Sequence, residues 1–166
     1  MSGIVNTTGA RSGVIGTTVG TPAGGVLQTV KGASYTTQTA LNDGAWNSFG
    51  FTRSITPTSA SSSIMVIWSS QVFWNGGDDM ACKVRIQRTA PSTATIWGGT
   101  NQSIYFYNQS GGNQQIGIPF TGVYIDEPAT TSVCTYGMEL NDDTATSATA
   151  QYNSFPSWVH LIELAG

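Results

Sequence analysis

The chain contains few charged residues. Only 9% of its 166 residues are charged, against about 25% in an average soluble protein. With six Lys and Arg and a net charge of −3, it cannot neutralise many phosphates and has no basic stretch to hold an anionic membrane. No apolar run approaches the about 20 residues of a membrane helix, and the N-terminus lacks the features of a secretory signal. We therefore expect no nucleic-acid partner and no membrane partner.

Histidine and cysteine are also scarce. The single histidine, His160, lies in a strand-like pattern near the C-terminus, and nothing resembles a nucleophile elbow, so we expect a structural or interface role and no enzyme activity. Cys82 and Cys134 each lie in a strand-like run. This predicts two buried free thiols, with a disulfide between them left open. No His or Cys cluster has metal-ligand spacing, so we expect neither a metal nor another cofactor.

Two acidic pairs, Asp78-Asp79 and Asp142-Asp143, lie in turn-like sequence, the second in the predicted turn Asn141-Asp142-Asp143. Adjacent carboxylates can ligate calcium, but the full set of oxygen ligands is missing, which favours solvated turns. A retaining glycosidase needs two carboxylates about 5 Å apart. No motif supports that alternative, so a glycan-active enzyme is the weakest of the functions considered.

Residues 1–33 differ from the rest of the chain. Eight of them are Gly, and none is aromatic, so this segment cannot form a core of its own. Apolar pairs recur ten residues apart, Ile4-Val5 and Val14-Ile15, and the only charges are Arg11 and Lys31. Such pairs suit an extended peptide that binds another protein through its backbone. We predict a docking arm over 1–33 and a β domain over 34–166, with a plain linker as the alternative for the arm.

From Ser34 onward, short strand patterns alternate with turns. Ile64–Trp68 is continuously apolar, which predicts a strand buried on both faces, whereas Cys82–Gln87 alternates and predicts one solvated face. Further strands are predicted at Ile104–Tyr107, at the alternating residues Cys134 to Leu140, and at Trp158–Leu164. No window predicts a long amphipathic helix. The pattern indicates an all-β jelly-roll sandwich.

Several short motifs resemble, in the same order, those of tailed-phage virion proteins. They are Ser54–Val66, with its Thr-Pro turn and Ser-rich stretch before a strand, then Val84–Arg88, Asp126–Pro128, Thr135-Tyr136, Asn153 and Ser157–Leu164. The N-terminal Ser2–Val5 and Gly9–Gly16 resemble a leader of marine-phage structural proteins. One departure is Met65, where related motifs often have a charged or β-branched residue.

The resemblance implies a jelly roll of the tumour-necrosis-factor type, usually trimeric, which is synthesised in the host cytoplasm and lies on the exterior of the virion. It implies a capsid decoration or cement protein that binds the major capsid protein or another virion protein through residues 1–33. The alternative is a short tail-fibre or receptor-binding protein that recognises a host glycan. The predicted docking residues are Ile4, Val5, Arg11, Val14 and Ile15. The predicted trimer or core interface residues are Tyr136, Trp158, His160, Leu161 and Ile162.

Overall fold

Strands make up almost all of the regular structure. The computed structural model describes residues 21–32, 34–41, 44–76, 80–101, 104–107, 112, 114–142 and 147–166. The predicted docking residues Ile4, Val5, Arg11, Val14 and Ile15 lie outside these ranges. The strands are β1 (Val26–Val30), β2 (Thr39–Ala40), β3 (Trp46–Ile55), β4 (Ser63–Gly76), β5 (Met80–Ala90), β6 (Ala94–Gly98), β7 (Ile104–Phe106), β8 (Gln114–Asp126), β9 (Cys134–Asp142), β10 (Ser147–Ala150) and β11 (Trp158–Leu164). The one helical element in the described residues is a 3-10 turn, Tyr152–Ser154.

The strands form two antiparallel sheets with jelly-roll order. In the first sheet, β8 pairs with one side of β4, while β11 and β10 pair with successive parts of the other side. β1 then pairs with β11, and β2 with β10. The second sheet has the order β3-β9-β5-β6, with β7 beside the start of β5. The principal strands therefore form one sheet of order β1-β11-β4-β8 that packs against a second sheet of order β3-β9-β5-β6. This arrangement is a jelly roll, as the sequence predicts.

The core lies between the sheets and follows the two-residue period of the strands. On β9, all four predicted inward residues are buried: Cys134, Tyr136, Met138 and Leu140. Along the edge between β6 and β8, the core is closed by aromatic packing. There the Trp68 ring lies 5.9 Å from that of Trp97 and 5.4 Å from that of Phe120, between centroids.

The prediction that Ile64–Trp68 is buried on both faces is wrong. Ile64, Val66 and Trp68 are buried, but Met65 and Ile67 between them are partly exposed. The strand alternates like its neighbours, and its run of apolar residues arises because both the inward and the outward positions are apolar. The outward face of β4 is therefore apolar without being covered by the described part of the chain.

The predicted domain boundary at 33/34 also needs correction. Residues 26–30, which composition assigns to the arm, form β1 and pair with β11, with Val30 opposite Leu161. The backbone N–H of Gly24 donates to the carbonyl of Ala165 at 2.7 Å, which extends the pairing. A Cβ at Gly32 would overlap the carbonyl oxygen of Val159. This glycine thus permits close packing, and the domain includes residues 21–32.

The predicted turn at Asn141-Asp142-Asp143 also differs from the structure. Asn141 and Asp142 are the last residues of β9, and both are buried. β9 lies between β3 and β5, so backbone pairing on both sides keeps Asn141 and Asp142 in the strand although they are polar. Asn141 is opposite both Trp46 and Lys83. Asp78, Asp79 and Asp143 lie outside the described residues.

Both cysteines are buried free thiols, as predicted. Cys82 lies opposite Asp142, which is eight residues along β9 from Cys134. At about 3.3 Å per residue this separates them by about 26 Å, far more than the about 7 Å between Cα atoms that a disulfide allows. Cys82 and Cys134 are therefore too far apart to form a disulfide within one chain.

Candidate functional site

The outward face of the first sheet is apolar across three adjacent strands. Residues directly opposite each other on paired strands share a face. Ile67 of β4 lies between Val123 of β8 and His160 of β11, and Met65 lies between Ile125 and Ile162 in the same way. The apolar or aromatic residues on this outer face are Met65, Ile67, Phe73, Pro119, Val123, Ile125, Trp158, His160, Ile162 and Leu164. Most of them cluster at one end of the sheet, and beyond them the outward positions are largely polar: Ser69, Gln71, Asn75, Gln115 and Thr121. Val123 is 60% exposed and Ile125 is 47% exposed.

No formal charge interrupts this face. The outward positions of β4, β8 and β11 contain no Lys, Arg, Asp or Glu, because Asp126 and Glu163 both point inward beside Ile64. Contiguous apolar patches on a protein surface mark interaction sites when they extend well beyond isolated side chains. We name the apolar and aromatic residues among these outward positions the apolar outer face.

The five predicted interface residues divide between the core and this face. Tyr136 and Leu161 are fully buried in the core. Trp158, His160 and Ile162 are partly exposed on the apolar outer face. The rings of Trp158 and His160 pack edge to face with centroids 4.6 Å apart.

The orientation of His160 is set by the backbone two residues after β1. The backbone N–H of Gly32 donates to His160 Nδ1 at 3.1 Å. Because Nδ1 acts as an acceptor, a neutral His160 carries its proton on Nε2. The imidazole is thus held in place by the Gly32 backbone within the apolar outer face.

The outward face of the second sheet has the opposite character. Arg85 Nε donates to Glu139 Oε2 at 2.6 Å across β5 and β9, and its guanidinium lies 4.1 Å from the Trp46 ring centroid. Lys83 and Gln87 point the same way as Arg85. Such a surface is stable in water. The sandwich therefore has one polar outer face and one apolar outer face, a difference that the strand patterns alone do not reveal.

Three of the motifs that carry the family resemblance meet in one network. Asp126 Oδ2, from the first sheet, accepts hydrogen bonds from Arg88 Nη1 at 2.5 Å and from the Tyr136 hydroxyl at 2.7 Å. Arg88 and Tyr136 belong to the second sheet, so the network ties the two sheets together. Burial and the Asp126 carboxylate both raise the pKa of Tyr136 above its ordinary value. The phenol stays protonated and serves as a donor.

The first and last motifs meet at a second buried carboxylate. Glu163 is 0% exposed and accepts hydrogen bonds from the backbone N–H of Thr58 at 2.6 Å and from its Oγ1 at 2.8 Å. Gln28 Nε2 on β1 donates to the other oxygen at 2.6 Å. Burial alone raises the pKa of Glu163, but the hydrogen bonds outweigh it, so the pKa is lowered. The residues of these motifs thus hold the sandwich together. Sequence reasoning missed this role because the residues lie on segments far apart in the chain.

Within the described residues, no group of three or more His, Cys, Asp or Glu side chains is placed to hold a metal ion. No helix found there is long and apolar enough to cross a membrane.

No protein-family model matches the chain, and no curated protein matches it. Similar solved structures include chains of infectious bursal disease virus. A chain of the Gx strain structure is 11% identical, with a TM-score of 0.41, and the match covers 84% of this chain and 32% of that one. For the VP2 subviral particle the identity is 13%, the TM-score 0.38, and the coverage 84% and 37%. The chain thus spans about a third of those chains' length, and a likeness at this level carries no functional argument.

Proposed function

We propose that this chain is a structural protein of a tailed-phage virion, a capsid decoration or cement protein that projects a trimeric β head from the particle surface. The observation that carries the proposal is the contrast between the outer faces of the two sheets. One is charged and suited to water, and the other is apolar over three strands. A domain of this kind is suited to assembly with copies of itself. The order of the phage-like motifs supports a tailed-phage virion as the place of that assembly.

A second copy is the occupant that best suits the apolar outer face. Each copy carries a net charge of −3, so copies repel one another weakly and associate best where neither presents a charge. The apolar outer face meets that condition, and burying a Val or Ile side chain fully contributes about 1.5–3 kcal/mol. The trimeric state itself comes from the family resemblance.

The head association is tested by placing charge on the face. Ile67→Glu combined with Val123→Glu puts two carboxylates at directly opposed positions, and we expect sedimentation velocity to show a folded monomer. The control is Ser54→Glu on the outer face of the second sheet, where the Ser54 hydroxyl forms a hydrogen bond with the hydroxyl of Thr135. This control variant should stay trimeric. A double variant that sediments as the wild type does would contradict the assignment of the face.

Docking to the particle is assigned to residues 1–20. β1 belongs to the head, so the docking segment ends before Thr21 and keeps both apolar pairs, Ile4-Val5 and Val14-Ile15, together with Arg11. Ordering a Gly-rich backbone costs about 1–2 kcal/mol per residue, which a partner surface can offset by accepting these pairs in pockets. We expect Arg11 to face a carboxylate of the partner.

The docking segment is tested on purified particles that lack the protein. Replacing Ile4, Val5, Val14 and Ile15 by Ser should abolish binding while the head sediments and melts as the wild type does. If the substituted protein bound at full occupancy, the docking surface would lie on the head instead. Copy number on native particles separates decoration, which requires many copies, from the alternative of a short tail fibre, which requires few.

A further inference from the structure

A cleft lies at the edge of the sandwich beside β3. It has a volume of about 230 Å³, and its walls include Tyr35, Phe51 and Val159, with Arg53 as its charged group. The Tyr35 and Phe51 rings are 5.9 Å apart between centroids. Mostly apolar walls with one convergent charged group are the usual composition of a small-ligand site.

The local backbone builds this cleft and holds it open. The register between β3 and β9 shifts between Ser48 and Thr52, and Gly50 within the shift has φ of 73°, a conformation that favours glycine. A Cβ at Gly50 would lie 3.3 Å from the Tyr35 hydroxyl oxygen. Tyr35 is itself held by two backbone hydrogen bonds of 2.8 Å with Ser157. The backbone that carries the Tyr35 ring is therefore anchored to the strand region around Ser157.

Arg53 differs from the other arginines of the two sheets. Arg85 pairs with Glu139, and Arg88 pairs with Asp126. Arg53 is half-buried, and its hydrogen bond among the described residues runs from Nη1 to the carbonyl oxygen of Thr52 at 3.4 Å. No described carboxylate lies within ion-pair distance of it. A guanidinium has five N–H donors in a fork that matches a carboxylate, so the cleft offers a carboxylate two donors beside an aromatic wall.

We infer that this cleft binds an acidic sugar unit, a pyranose bearing a carboxylate. Its carboxylate would pair with Arg53, and an apolar ring face would lie against Tyr35 and Phe51. The cleft volume of about 230 Å³ leaves room for one sugar ring with its substituents. An Asp or Glu side chain from a protein partner would leave much of that space empty. The inference does not depend on decoration of a capsid and stands on the isolated head.

Binding of glucuronate to the full chain, followed by saturation-transfer NMR and calorimetry, tests the inference. Glucose has the same ring without the carboxylate, and glutarate has the carboxylate without the ring. We expect glucuronate to bind at least about tenfold more tightly than either, and more weakly as salt rises. Equal binding of glucose, equal binding of glutarate, or no binding of glucuronate would each overturn the inference.

Two variants locate the site. Arg53→Gln should weaken glucuronate binding at least about tenfold, because the bidentate charged donor is lost. Lys31→Gln removes the same charge from an exposed residue outside the cleft lining and should bind as the wild type does. Melting curves check that both variants are folded. If Arg53→Gln misfolds, Gly50→Ala provides the test, because its Cβ would lie 3.3 Å from the Tyr35 hydroxyl oxygen and crowd the cleft, which should weaken glucuronate binding. Full binding by a folded Arg53→Gln, or equal losses in both charge variants, would refute the site.

Discussion

Replacing Glu163 by Gln tests how much one buried carboxylate contributes to holding the head together. The carboxylate accepts three hydrogen bonds, two from Thr58 and one from Gln28. Hydrogen bonds to a charged group contribute about 1.5–3 kcal/mol each and neutral ones about 0.5–1.5 kcal/mol. Gln keeps the shape but turns an NH₂ group toward at least one of these donors. Relief of the buried charge offsets part of the loss, so we expect a net destabilisation of about 2 kcal/mol, or about 4–8 °C in Tm for a domain of this size.

The contribution of Glu163 to stability should depend on pH in a defined direction. The pKa of Glu163 is lower in the folded protein than in the unfolded chain, so the unfolded state binds the proton more tightly. Stability from this group is therefore fully present above the unfolded pKa and is lost as pH falls through the folded pKa. The Tm difference between wild type and Glu163→Gln should be largest near neutral pH and should shrink as the pH falls through the lowered pKa of Glu163.

Thermal melts followed by circular dichroism at one protein concentration measure both effects, since association makes Tm depend on concentration. The matched control is Glu127→Gln, which changes an exposed carboxylate one residue after β8 and should shift stability by less than about 0.5 kcal/mol. A Glu163→Gln variant that melts with the wild type at every pH would refute the reasoning, because the three hydrogen bonds would then contribute nothing net.

Three further predictions follow from the structure. Deleting residues 1–20 should leave Tm unchanged, whereas deleting 1–33 removes β1 and should lower it by at least about 4 °C; equal melting of the two truncations would contradict the corrected boundary. Melts with and without a chelator should coincide within about 1 °C, and a fall of about 10 °C on chelation would reveal a metal site. Cys82 and Cys134 should react with a thiol reagent only after unfolding, since both are buried; reaction of either in the native protein would count against the core described here.

The strand patterns predict much of the fold correctly, because alternation reports directly on the two faces of a strand. The spacing of Cys134, Tyr136, Met138 and Leu140 places all four in the core, and the pattern at Trp158–Leu164 coincides with β11. Composition misplaces the start of the domain, because β1 is a short edge strand without aromatic residues and without a clear alternation of apolar and polar residues. Its pairing partner, β11, lies at the other end of the chain.

What the sequence by itself determined is the class of the protein: all-β, poor in charge, with an inward and an outward set of residues on each strong strand. Only the tertiary structure decided which sequence-distant strands became neighbours. That pairing collected the outward residues of β4, β8 and β11 into one apolar face. It also brought Arg88, Asp126 and Tyr136 together, and joined Glu163 to Thr58. The physical reason is that a two-residue period specifies a face for each side chain, whereas contacts between strands depend on long-range register.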